Sequence, residues 1–224
     1  MKRKDKNSGQ ENQVKVDSAL YDAWIKYLFD RPTTWPLWCD DIDLIDFTAT
    51  PEEFVALIGE TMRRSGTDLR AYSDAQVTNG LKYIFYNSVS NTVFTLVQDV
   101  VDKSARAHAV RQIKHLYRDC FAKRCANVLS HRDEPGSGEL NIFCYMLWDE
   151  SPLSSWQEVV LEVMEDALTI PNYACIESAL HGLGHRTGDR SDVAAIIDNF
   201  LERTPQLRPE LVNYAKAART GCVQ

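Results

Sequence analysis

Three side chains of the kind that bind metal ions recur at steps of four in the stretch CIESALHGLGH, residues 175–185. They are Glu177, His181 and His185, and residues four apart lie on one face of a helix. Two imidazoles and a carboxylate are ligands that Zn²⁺ accepts. In the zinc-protease pattern HExxH, the histidines have this spacing and the glutamate after the first one is the general base. Here Gly182 stands at that position, so a metal-dependent hydrolase using Glu177, His181 and His185 is the alternative hypothesis.

The same stretch also fits a structural role at the end of a helix. Its apolar side chains fall in one sector of a helical wheel, and Glu177 and His181 lie on the shoulder of that sector. Gly182 and Gly184 predict that the helix ends before His185, because glycine disfavours helix interiors. We interpret His181 as a polar anchor bonded to a carbonyl or to Glu177, and we expect His185 to donate to carbonyl groups at the helix end. This interpretation assigns no catalytic, cofactor-binding or metal-binding residue.

Two charged clusters and one tryptophan are candidates for binding a partner. The acidic cluster, in residues 39–46, could bind a cation or a basic partner, but it lacks the EF-hand arrangement. The basic cluster lies on one predicted helix face and could bind a phosphate, pair with the acidic cluster or be solvated. The tryptophan either packs the non-helical connection 31–47 onto the core or is an exposed contact. These candidates are Trp38, Asp40, Asp41, Asp43, Asp46, Arg111, Lys114 and Arg118.

Charge and composition narrow the range of partners. The chain of 224 residues has a formal net charge of −7, and outside residues 1–16 it carries 20 basic and 30 acidic side chains. This balance makes nucleic acid an unfavourable partner and favours a basic protein. We expect a cytoplasmic protein without a membrane partner, since no segment approaches the roughly 18 apolar residues of a membrane span. The sequence has no GxSxG, Walker or dinucleotide motif, so we predict no cofactor.

Apolar residues recur at helical spacing along the chain after residue 50, for example over 54–62. The pairs Thr50 with Glu53 and Ser73 with Gln76 are predicted capping boxes at helix starts. No run of strict alternation is flanked by hairpin turns, so strands are not expected. The predicted fold is all-α, with antiparallel helix pairs in a right-handed bundle or a short HEAT-like solenoid of about nine to ten helices.

We predict one helical domain, residues 17–224, after a disordered polar tail of residues 1–16. The flexible loop 131–140, HRDEPGSGEL, is the alternative site for a domain boundary. The last four helices are predicted to form two pairs, at 156–168 with 172–183 and at 191–203 with 209–219. The spacing of these pairs, about 35–40 residues, is near the period of HEAT-type repeats.

Three stretches of the chain resemble a family of uncharacterised bacterial helical, HEAT-like proteins. They are CIESALHGLGH, the upstream CYMLWDESPL and the downstream LVNYAKAARTGCVQ, and the ESALHGLGH element is the most specific. The resemblance implies a cytosolic helical protein with no established activity, and it supplies no catalytic residues. It also implies a role beside bacterial toxins.

The leading hypothesis is a non-enzymatic helical module for protein–protein interaction. Stacked helix pairs and the lack of a complete catalytic set favour it. An acidic body would suit a basic protein partner through complementary charge. A toxin-neutralising or scaffold role in a bacterium is the expected biological setting.

Overall fold

The computed structural model describes residues 16–34, 38, 43–186 and 191–223. These residues contain no β-strand, and none of their helices is long and apolar enough to cross a membrane. The prediction of an all-α fold with nine to ten helices is confirmed, since ten of the twelve α-helical segments have four residues or more. The segments are α1 (Ser18–Phe29), α2 (Pro51–Asp68), α3 (Asp74–Phe85), α4 (Phe94–Val97), α5 (Lys103–Arg111), α6 (Ile113–His115), α7 (Ala122–Arg124), α8 (Glu139–Met146), α9 (Gln157–Ala167), α10 (Tyr173–His185), α11 (Ser191–Arg203) and α12 (Pro209–Thr220).

Hydrogen bonds from capping side chains define the starts of two helices. At the start of α2, the Thr50 hydroxyl accepts a hydrogen bond from Glu53 N, and the Glu53 carboxylate accepts one from Thr50 N. Ser73 and Gln76 form the same reciprocal pair at the start of α3. Both predicted capping boxes are therefore present. Helices α9 to α12 also begin and end within two residues of the predicted helix pairs.

An aromatic cluster joins α1, α3 and the connection that precedes α2. The rings of Trp24 and Phe47 meet edge to face, with centroids 5.0 Å apart. Trp38 is only 8% exposed, stacks on Tyr83 with a centroid distance of 5.2 Å and meets Tyr27 edge to face. Trp38 thus packs the connection onto the core.

The helical stretch 103–124 is not one continuous α-helix. Helix α5 ends at Arg111, and Leu116–Phe121 forms a π-helix. Tyr117 of this π-helix is fully buried, and its hydroxyl oxygen lies 2.6 Å from Ser178 Oγ on α10. Because the π-helix contacts both α2 and α10, it links the N-terminal and C-terminal helices of the fold.

Helix α10 lies at the centre of the C-terminal helices, in contact with α8, α9 and α12. It continues through Gly182 and Gly184 to His185, so the prediction that the glycines end the helix is wrong. A Cβ atom at Gly182 would lie 2.7 Å from Trp148 Cδ1, and one at Gly184 would meet the side chain of Val223. The glycines allow close packing within the helix instead of ending it.

One hydrophobic core extends through helices on both sides of the loop 131–140. Tyr86, before the loop, stacks on Phe143, after it, with ring centroids 5.2 Å apart. Within the loop, the carboxylate of Glu134 accepts hydrogen bonds from both terminal nitrogens of Arg208, at 3.1 and 2.7 Å. The loop is therefore tied to the start of α12.

Candidate functional site

The carboxyl group of Glu177 points to the turn at Ser130–Arg132. Its oxygens accept hydrogen bonds from the backbone nitrogens of Ser130 at 2.8 Å and His131 at 3.0 Å, and one also bonds to His131 Nδ1. Glu177 is fully buried. It anchors the turn to α10. Of the two partners that we predicted for His181, a carbonyl or Glu177, the carboxylate of Glu177 is thus used by the turn.

His181 is 1% exposed, and its two ring nitrogens have different surroundings. Nδ1 lies 2.8 Å from the hydroxyl oxygen of Tyr214 on α12. Nε2 is buried and has no hydrogen-bond partner among the residues that the structure describes. Leaving a buried polar atom unsatisfied costs about 1–3 kcal/mol, and such atoms are uncommon in folded proteins. Nε2 is therefore the atom of His181 that is available to a ligand.

Asp149 and His185 form a cluster with His181. One donor atom from each of the three side chains lies within 4.8 Å of the other two. The imidazole rings of His181 and His185 meet edge to face with centroids 4.4 Å apart, and His185 Nδ1 is 3.8 Å from Asp149 Oδ1. The side chains of His185 and Asp149 are 39% and 40% exposed. The cluster therefore extends from a buried imidazole to the solvent.

Burial is the main reason that the pKa of His181 is lowered to about 4, and His185 lowers it further while Asp149 opposes the shift. The His181 imidazole is thus neutral at neutral pH. A neutral imidazole has a lone pair that can accept a proton or bind a metal ion. Burial also raises the pKa of Tyr214 and of Tyr145, so both phenols keep their protons.

Two tyrosines hold the His181 ring in place. The hydroxyl oxygen of Tyr145 lies 3.1 Å from that of Tyr214, which in turn contacts His181 Nδ1. The ring of Tyr145 also packs on His181, with centroids 4.2 Å apart, and His131 stacks on Tyr214 at the same distance. An imidazole bonded at one nitrogen presents the other in a defined direction, as metal-binding histidines do.

A small cavity adjoins the exposed end of the cluster. Its volume is about 30 Å³, and its lining is Trp148, Val160, Met164, Gly182, His185 and Arg186. A volume of about 10–15 Å³ is enough for one water molecule. A water molecule or a small ligand therefore fits beside His185.

The predicted basic cluster faces acidic residues of α9. Arg111 Nε lies 2.8 Å from a carboxylate oxygen of Glu162, and Arg118 bonds to Asp166. Arg111 is the main cause of the lowered pKa of Glu162, and Lys114 adds to it. Intramolecular carboxylates thus offset much of the positive charge on this helix face.

Only two of the four aspartates in the predicted acidic cluster are among the residues that the structure describes. Asp40 and Asp41 lie outside the described residues. Asp43 and Asp46 are exposed, and the carboxylate of Asp46 accepts a hydrogen bond from the Tyr83 hydroxyl at 3.0 Å. Both aspartates therefore lie on the surface, and Asp46 contacts the aromatic cluster of α1 and α3.

An open groove runs between α2 and α5 and has a volume of about 1110 Å³. Small side chains at its floor let the two helices approach each other, since a Cβ atom at Gly59 would lie 3.2 Å from Ala109. Its apolar lining includes Val55, Ala56, Ala105 and Ala109, and its charged rim includes Glu52, Glu60, Arg63, Arg64 and Asp102.

No protein-family model, curated protein or solved structure matches this chain. The geometry of its own residues therefore carries the functional argument.

The structure adds Asp149, Tyr145 and Tyr214 to the residues that the sequence pattern identified. They surround His181, although they lie 32 to 36 residues away from it along the chain. Each is in one of the other two stretches that carry the resemblance, CYMLWDESPL and LVNYAKAARTGCVQ. Those stretches were the only sequence signal for these residues, because helix packing sets their proximity to α10.

Proposed function

We propose that this protein is a non-enzymatic helical interaction module that binds a basic helical segment of a protein partner in the groove between α2 and α5. The groove carries this proposal. It combines an apolar floor with a charged rim, and a helix that docks into such a groove buries its apolar face there. Its volume of about 1110 Å³ exceeds the roughly 300–1,000 Å³ that is usual for small-molecule pockets.

The charge balance supports a basic partner. Residues 17–224 carry ten more acidic than basic side chains. Two carboxylates on the groove rim, Glu52 and Asp102, are exposed at the starts of α2 and α5. On the basic helix face, Arg111 and Arg118 bond to carboxylates of α9. A basic segment would be attracted to this surface, and the attraction would weaken at high salt.

We also propose that the helices stack as in HEAT-type repeats, and the packing of the last four helices supports this. Helix α9 contacts α10, α11 contacts α12, and α10 contacts α12, as in two stacked helix pairs. The proposed setting is the cytoplasm of a bacterium, with a toxin-neutralising or scaffold role. This setting rests on the resemblance of the three sequence stretches.

Affinity purification from the native cell, at low and physiological salt, tests the proposal. The full chain is the bait, and captured proteins are identified by mass spectrometry. We expect a specific basic protein with the wild-type bait. Ala56→Arg places a long cation in the groove and should abolish the capture. Thr67→Arg adds the same cation at an exposed position of α2 that does not line the groove, so it should capture as the wild type does.

Two outcomes would contradict the proposal. One is that no specific partner is recovered at either salt concentration. The other is that Ala56→Arg and Thr67→Arg baits capture the same partner equally well, because the binding surface would then lie outside the groove. Far-UV circular dichroism of both variants checks that each retains its helix content.

A further inference from the structure

We propose that Asp149, His181 and His185 bind a divalent transition-metal ion, of which Zn²⁺ is the representative, at the C-terminal end of α10. This site lies away from the groove between α2 and α5, and its existence does not depend on the interaction proposed there. Its ligand set also differs from the triad that the sequence suggested. Asp149 supplies the carboxylate, because the carboxyl group of Glu177 bonds to Ser130 and His131.

The buried Nε2 atom of His181 is the observation that points to a ligand. It lacks a hydrogen-bond partner among the described residues, although the ring around it is fixed by Tyr214 and Tyr145. A metal ion at Nε2 would satisfy this atom. Donation of the Nδ1 proton to Tyr214 would leave the lone pair on Nε2, which is the usual arrangement of a metal-bound histidine and its outer hydrogen-bond partner.

The distances allow an ion to bind after a small movement of exposed side chains. In a tetrahedral zinc site with bonds of about 2.0–2.1 Å, neighbouring ligand atoms lie about 3.3 Å apart. The three donor atoms here lie within 4.8 Å of one another, and His185 and Asp149 are 3.8 Å apart. His185 and Asp149 are partly exposed and can close the remaining gap by rotating, while His181 stays fixed.

The donor types and the helix end select the class of ion. Two imidazole nitrogens and one carboxylate oxygen suit Zn²⁺, Fe²⁺, Co²⁺ or Ni²⁺ better than Ca²⁺ or Mg²⁺, which prefer oxygen ligands. The C-terminal end of a helix carries partial negative charge and favours a cation. With three protein ligands, a tetrahedral ion keeps one position open for a water molecule or another ligand.

Metal titration of the full chain tests this proposal. The protein is stripped with a chelator, kept reduced, and titrated with Zn²⁺ by calorimetry and with Co²⁺ by absorption spectroscopy. We expect saturable binding of one ion per chain, with a Co²⁺ spectrum typical of nitrogen and oxygen ligands. A thiolate-to-metal band in that spectrum would overturn the proposal, because it would place the ion on cysteine.

Variants locate the ion within the chain. We expect His185→Ala and Asp149→Asn each to weaken Zn²⁺ binding about tenfold or more, and both sites are exposed enough for the fold to survive. His115→Ala removes a histidine from another face, and Cys222→Ser removes an exposed thiol; neither should change the affinity. The proposal fails if one ion per chain does not bind, if His185→Ala and Asp149→Asn bind as tightly as the wild type, or if Cys222→Ser abolishes binding.

Discussion

Gly182 allows two side chains to lie against the backbone of α10 one residue after His181. A Cβ atom added there would lie 2.6 Å from Met164 Cε and 2.7 Å from Trp148 Cδ1. The methionine end is flexible, but the indole is held in the core and is only 6% exposed. The absence of a side chain at this position is thus a requirement of packing.

Gly182→Ala is expected to lower the free energy of unfolding. Alanine gains about 1 kcal/mol over glycine in helix propensity, but an extra methyl group in a filled core costs about 1–3 kcal/mol. We therefore expect a net loss of up to about 2 kcal/mol, measured by urea denaturation. If the free energy of unfolding instead rose by about 1 kcal/mol, helix propensity alone would account for the effect of the substitution, and Trp148 would be able to move away from the new methyl group.

Glu177→Gln tests the anchor between α10 and the turn at Ser130–Arg132. The amide group of glutamine replaces one acceptor oxygen with a donor, so one backbone nitrogen of the turn loses its partner. We expect the free energy of unfolding to fall by about 1–3 kcal/mol. Glu158→Gln, at an exposed position of α9, is the control and should change it by less than about 0.5 kcal/mol.

Hydrogen exchange separates this anchor from a general loss of stability. The amide protons of Ser130 and His131 should exchange faster in Glu177→Gln than the global stability change explains. Equal loss of protection throughout the protein would show that Glu177 does not hold the turn in particular.

At the scale of elements, the sequence predicts those helix ends that are set by interactions between residues close together in the chain. The capping boxes at Thr50 and Ser73, and the ends of α9 to α12, depend on residues a few positions apart. The spacing of four residues also identified His181 and His185 as candidate ligands, but the contact between their rings came only from the structure, in which α10 continues to His185. It did not assign α1, and it ended α10 too early, since the contact of Gly182 with Trp148 is tertiary.

The candidate metal site needed the structure for the same reason. Asp149 lies in the turn after α8 and Tyr214 lies on α12. Only the packing of these elements on α10 brings both side chains to His181. Periodicity predicts which face of a helix is buried, but it does not predict which polar atom of a neighbouring helix that face will meet.

The pair formed by Glu134 and Arg208 should make the tie between the loop 131–140 and α12 dependent on pH. The Arg208 guanidinium, and next the backbone N–H of Leu129, lower the pKa of Glu134 below its usual value. A carboxyl group with a lowered pKa stabilises the fold above its unfolded pKa of about 4.3 and loses this contribution as the pH falls through its folded value.

The stability difference between wild type and Arg208→Gln should therefore be largest near pH 7 and should shrink below about pH 4. Urea denaturation across this pH range measures it. Arg203→Gln, which removes an exposed arginine at the end of α11, is the matched control. A constant difference between wild type and Arg208→Gln at every pH would show that packing of the arginine, not its charge pairing with Glu134, stabilises the loop.

At the scale of the whole molecule, the two proposed sites lie on different helices of one continuous core. The groove is formed by α2 and α5, and the metal site by α10 and the turn after α8. The π-helix Leu116–Phe121 contacts both α2 and α10. Its Tyr117 hydroxyl bonds to Ser178, one helical turn before His181. The groove and the metal site can therefore be tested independently, but each is held in place by the same packed core.

Contacts across the loop 131–140 predict that the protein unfolds in one cooperative transition. The indole nitrogen of Trp156 donates to Leu96 O at 2.7 Å, and the side-chain amide of Asn172 donates to Cys125 O at 3.1 Å. Both bonds are buried and join helices from the two sides of the loop. Two separate domains would not share such bonds, so the helices should melt together.

Two cavity-forming variants, one on each side of the loop, test this prediction. Leu28→Ala in α1 and Leu183→Ala in α10 each truncate a fully buried side chain and should cost about 2–5 kcal/mol. In a single cooperative unit, each variant shifts the entire urea transition seen by far-UV circular dichroism, and tryptophan fluorescence follows the same curve. If the loop were a domain boundary, each variant would displace only part of the amplitude, because the helices of the other domain would keep the wild-type midpoint.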